Sequence, residues 1–210
     1  MQMKKTLLTL AISFSLLLTG CHSSVLNDSR PDDLKTSDTD YPVKELQYDW
    51  SYYNTSDELT AAATDIYSGT VTDISFEIVD EMTGLYVHDF SSVDKEYARK
   101  NYALVTIYTV SVTKNHKGSS KTEMKVANLG GISGYREEEQ HDLLVLAGLD
   151  DNKIPVVKNG CSLAVGNEYV FCVFRFPESY GLDYDHAINP HQYAHKIDSS
   201  NAKAIIYSCK

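Results

Sequence analysis

The sequence predicts a mainly β domain, a small closed barrel carrying short helical elements, and three observations predict it. From Asp65 to Val79, Ile74, Phe76 and Ile78 alternate with Ser75, Glu77 and Val79, the period-two pattern of a half-buried strand. Val71 lies three residues before Ile74, so the apolar set changes face between them. That slip marks a β-bulge, and Gly69 lets the backbone coil tightly beside it. A long, bulged, strongly curved strand suits a small barrel better than a flat sandwich. Third, Tyr169 to Phe176 is apolar on both faces until Arg175, the mark of a central strand covered on both sides.

The first 20 residues stand apart from this fold. Lys4 and Lys5 precede an apolar run from Leu7 to Leu18 that is short for a bilayer span. The run ends in Leu18-Thr19-Gly20-Cys21, which resembles the lipobox of bacterial lipoproteins. The resemblance implies a signal peptide over 1–20, cleavage before Cys21 and lipidation of its thiol. At roughly 0.8 kcal/mol per buried CH₂, the two or more chains on such a cysteine make a stable anchor where one would be marginal. The expected location is the extracytoplasmic side of the cell membrane. Cleavage removes Lys4 and Lys5 from 19 basic residues and leaves 29 acidic ones, a net charge near −12. Such a chain is a poor partner for nucleic acid, and no basic patch lays it on an anionic surface.

Residues 21–53 read as a flexible tether, because Ser, Asp, Thr, Asn and Lys bury too little apolar surface to offset their ordering entropy. Tyr48 to Tyr53 holds the single Trp, Trp50, and reads either as an exposed aromatic patch or as a segment docked on the domain; docking is favoured. The domain then spans 54–210. Thr55 and Glu58 form a capping box for a short helix over 59–64. Residues 80–100 are a polar connection with a turn at Met82-Thr83-Gly84.

A second strand runs from Tyr102 to Val112, a hairpin turn over 115–120 follows, and Met124 starts a third strand ending at Gly130-Gly131. The loop to Gln140 carries Glu137, Glu138 and Glu139, read as solvated. Leu143 to Leu149 is a short strand or a helical turn. Ile154 to Val157 is extended, with Pro155 confining it to an edge. A loop over 178–191, a short strand over 192–197 and a closing strand over 204–207 complete the chain.

This order of parts, SGTVTDISFEI, YTVSVTKNHKG, MKVANLGG and VGNEYVFCVF, resembles small lipoproteins of Gram-positive bacteria with an OB-like, five-stranded barrel of the netrin and tissue-inhibitor type. The likeness covers about residues 60–176. It implies the barrel and no activity. No inhibitor site carries over, since in tissue inhibitors that site begins at a free N-terminal Cys, whereas Cys21 would be lipidated and a long tether away.

Candidate chemistry is sparse. Asp183, Asp185, His186, His191 and His195 have the side-chain types of a zinc-like site. Their spacing is wrong, because 191 and 195 on a strand are too far apart to share one ion, so no metal or cofactor is expected. Cys161, Cys172 and Cys209 allow one disulfide in an exported chain, with the pairing open. Cys172 reads as a small buried hydrophobe. Gly130-Gly131 lacks the Lys and helix of a phosphate loop. The sequence therefore predicts a non-enzymatic binding or accessory module of the envelope with a protein or glycan partner. A metal-dependent protein or enzyme using the 183–195 loop is the alternative.

Overall fold

The computed structural model describes residues 41–149 and 152–210. Cys21, the leader and the tether up to residue 40 lie outside the described residues. The longest elements are β2 (Asp65–Asp80) and β3 (Tyr102–Lys117), which pair antiparallel from Ile66↔Lys117 to Asp80↔Tyr102. Register shifts fall between Ser68 and Gly69 and between Val71 and Asp73, where the sequence placed the bulge. Gly69 is required there, because a Cβ would sit 2.7 Å from the Ser111 carbonyl oxygen. The shifts bend β2 so that its first part also pairs with β6 (Glu168–Phe174), from Asp65↔Val173 to Thr70↔Glu168.

β3 pairs with β4 (Glu123–Leu129), and β4 pairs parallel with the three-residue β7 (Asp185–Ala187). β6 pairs antiparallel with β7 and with β8 (Ala194–Lys196). The fold is mainly β, with a six-stranded sheet in the order β2-β3-β4-β7-β6-β8 and a further β2–β6 pairing.

Side chains separate by face as period two demands. Tyr67, Val71, Ile74, Phe76, Tyr108, Val126, Phe171 and Val173 meet in the main core. On the other face of β2 and β6, Ile66, Val170 and Cys172 pack under two helices, α1 (Ser56–Ala62) and α4 (Ser200–Ser208), through Leu59, Ala63, Ala202 and Ile205. α1 begins at the expected capping box of Thr55 and Glu58. Lys117 completes its other end by donating to the carbonyls of Thr60 and Ala63.

Several expectations are corrected. Val43–Leu46, expected to be tether, forms a strand, β1, parallel to β5 (Ile154–Val157) in a separate two-stranded sheet. Its backbone satisfies the open edge that Pro155 leaves, so the folded region starts earlier than residue 54. The polar connection contains a helix, α2 (Lys95–Asn101), started by Asp94, whose carboxylate accepts from the amides of Glu96 and Tyr97. The loop with the acidic run is the first turn of α3 (Glu137–Leu146), where three carboxylates suit the helix dipole. β3 continues to Lys117, which shortens the hairpin turn. The expected closing strand is α4, capped by Ser199 and buried at Ala202 and Ile205, a helical spacing of three. Phe174, placed in the core, is 41% exposed where β6 ends, while Phe171 is fully buried.

Candidate functional site

The metal candidates are dispersed by strand geometry. Alternation along β7 sends Asp185 and His186 to opposite faces of the sheet. Asp185 is buried and pairs with Lys121 at 2.7 Å; Asp183 is exposed and pairs with Lys125 at 2.6 Å. His191 Nδ1 lies 3.0 Å from the Asn159 carbonyl, and His195 Nε2 3.0 Å from that of Gln192. Among the described residues, no three His, Cys, Asp or Glu side chains converge as a metal site would require. Cys161, Cys172 and Cys209 are all thiols. Cys172 is buried with Cys209 beside it in the helix-covered cluster, and burial drives its thiol pKa far up, so it is no nucleophile. The Cys161 thiol donates instead to the His191 carbonyl at 3.1 Å.

Two arrangements that sequence reasoning missed are structural on inspection. Ser68 Oγ and His116 Nε2 lie 2.7 Å apart, the spacing of a nucleophile and its base. Ser68 is buried, however, and among the described residues His116 has no carboxylate behind it. The second is a charged latch. Asp65, fully buried, accepts from the Ser119 amide at 2.7 Å and from Arg175 Nη2 at 2.9 Å. Burial alone would raise its carboxyl, but the Ser119 amide and other hydrogen bonds, with Arg175, hold it below the ordinary value. At Asp185 burial prevails over Lys121 and the carboxyl is pushed up. Gly118, at φ +84°, makes the turn against Asp65 that brings Ser119 in; a Cβ there would meet the carboxylate itself.

The accessible site is aromatic. A groove of about 310 Å³ is lined by Trp50, Glu81, Met82, Thr83, Phe176, Tyr180, Tyr184 and His186 over a floor of Val105, Ala127 and Leu129. The rings form a chain: Phe176 lies 5.5 Å from Tyr180 and 4.9 Å from His186, and His186 lies 4.9 Å from Tyr184. Tyr180 is 56% exposed and Met82 73%, an unusual outlay of apolar surface on one patch. Burial lowers the His186 pKa and favours the neutral imidazole; its Nε2 is buried without a hydrogen-bond partner among the described residues. The Tyr184 hydroxyl donates to the Gly84 carbonyl and so fixes the Met82-Thr83-Gly84 turn at the rim.

No protein-family model matches the chain, and no curated protein matches it.

Trp50 reaches the groove because its neighbours are docked. Asn189 Nδ2 donates to the Ser51 carbonyl at 2.9 Å, and Gln192 clamps Tyr53 by accepting from its amide at 2.9 Å and donating to its carbonyl at 2.8 Å. Tyr53 packs on the helix-covered cluster. The 48–53 segment is thus docked by its backbone, as the favoured reading expected, and its Trp50 side chain lines the groove. A larger, more polar hollow of about 510 Å³, ringed by Lys44, Arg99, Lys100 and Lys153, lies beyond Glu81. It lacks such a chain of rings.

Proposed function

We propose that the chain is a lipid-anchored extracytoplasmic protein of the cell envelope, held at Cys21, that acts as a non-enzymatic binding module through its aromatic groove. The groove is the observation that carries this reading: rings gathered from distant segments, with Tyr180 exposed among them, beside titratable groups that do not converge among the described residues. We read the sheet as an OB-like barrel. The pairings β2–β3, β3–β4, β4–β7, β7–β6 and β6–β2 return to their start and support this, with β8 as an addition to β6. A domain of this kind offers a sheet face and loops for a protein or glycan partner.

The test is crosslinking of the full chain in its own cells, wild type beside Tyr180→Ala, with fractionation of a Cys21→Ser variant. The expected result is one dominant partner lost with Tyr180→Ala, and release of Cys21→Ser from the membrane fraction. Capture indifferent to the groove variant would overturn the binding role; retention of Cys21→Ser would overturn the anchor.

A further inference from the structure

We propose that the aromatic groove is a site for a quaternary ammonium group, the trimethylammonium of a choline-like compound. This rests on the binding-module reading and names the ligand class of the same groove. Among the described residues, no Lys or Arg lines it, although the chain carries 19 of them. Besides Tyr180 and Tyr184, its titratable residues are Glu81 and His186. Glu81 makes no side-chain hydrogen bond or ion pair among the described residues, and burial and the neighbouring Asp80 push its carboxyl pKa up, so a bound cation would favour its charged form. Burial favours the neutral imidazole of His186, which does not repel a cation. Ring faces attract a cation through their quadrupole within about 6 Å, and cages of Trp, Tyr and Phe are the usual receptors for methylated ammonium groups. Trp50, Phe176 and Tyr180 supply such rings in a groove whose lining also includes the Glu81 carboxylate, with Tyr184 buried behind them.

A primary ammonium is a worse fit, because it needs acceptors for three N–H groups. Two hydroxyls at the rim are already engaged: Thr83 Oγ1 accepts from the Leu85 amide, and the Tyr184 hydroxyl donates to Gly84. A trimethylammonium has no N–H to satisfy and asks only for ring faces and a negative charge. A neutral sugar would stack on the same rings and donate a hydroxyl to Glu81, but it carries no positive charge for the ring faces to attract.

Trp50 is the single Trp of the chain, so its fluorescence reports the groove directly. The full chain in a non-ionic detergent is titrated with choline, its carbon isostere 3,3-dimethylbutanol, ethanolamine and phosphocholine. Choline is expected to shift Trp50 emission saturably, with the neutral isostere and ethanolamine each about tenfold weaker. Glu81→Gln should weaken choline several-fold and leave the isostere unchanged, with the thermal transition unaltered. Phosphocholine above or below choline separates a phosphorylated source from a free one, and either order supports the site. Equal binding of the isostere, equal binding of ethanolamine, or no saturable change with choline would overturn it. If choline fails while Tyr180→Ala still loses its crosslinked partner, this inference falls and the binding-module reading stands.

Discussion

The latch around Asp65 and the groove around Tyr180 are both built from segments far apart in sequence, yet they handle their costly groups in opposite ways. Asp65 is buried, and Ser119, from the β3–β4 turn, and Arg175, from beyond β6, both bond to it. In the groove, the Tyr180 ring lies open, and Glu81 has no side-chain hydrogen bond or ion pair among the described residues. A latch of this kind secures the chain and presents no open carboxylate. The groove leaves an exposed ring and an unpaired carboxylate at its rim among the described residues, and this separates the two clusters more clearly than residue type, since both contain acids and tyrosines.

The contrast can be broken first in the core that carries both regions. Phe171→Ala is expected to cost about 3–5 kcal/mol, because the ring is fully buried and its removal leaves a cavity. Thermal unfolding checks it, and a melting temperature within a degree or two of wild type would refute the core assignment. Asp65→Ala comes next. Removing the carboxylate strands Arg175 and the Ser119 amide, a loss of about 3 kcal/mol, at the low end for broken buried pairs because Arg175 is partly exposed. Urea denaturation measures it.

The third prediction uses pH. His116, His186 and His195 all have pKa values lowered by burial. Between those values and the unfolded 6.5, the unfolded chain binds more protons, so stability rises with pH there. It is therefore complete above about pH 6.5 and falls as the solution is acidified below that. Denaturation curves at pH 7.5 and 5.5 should differ in this direction, and His186→Phe should reduce the difference. The smallest effect belongs to the groove. Tyr180→Ala should change stability by less than about 0.5 kcal/mol while abolishing ligand response, a separation that no latch residue can show.

Legibility followed the range of the interactions. The bulge of β2 was readable because Gly69, Val71 and Ile74 are neighbours, and the capping box of α1 because Thr55 and Glu58 are three apart. α4 was misread because its four apolar residues, 204–207, look like a strand until Ser199 is seen as a cap. Phe174 was placed in the core because alternation does not reveal where a strand loses its cover. The groove has no local signature at all: Trp50, Glu81, Val105, Ala127 and Tyr180 come from five separate stretches joined only by the sheet. Of its parts, the sequence singled out the aromatic segment at Trp50 and the turn at Met82-Thr83-Gly84, without connecting them.

The double pairing of β2 also bears on how the chain is made. Residues 65–70 find β3 after some fifty residues, but β6 emerges only a hundred residues later. During synthesis the first part of β2, with Ile66, Tyr67 and Val71 on it, therefore presents an unsatisfied apolar edge until the last third of the chain arrives. Its closure is a late, long-range event, slow by the loop it must bridge. An unfinished chain ending before residue 168 would be adhesive, and a nascent molecule must be shielded from its neighbours until β6 takes its place.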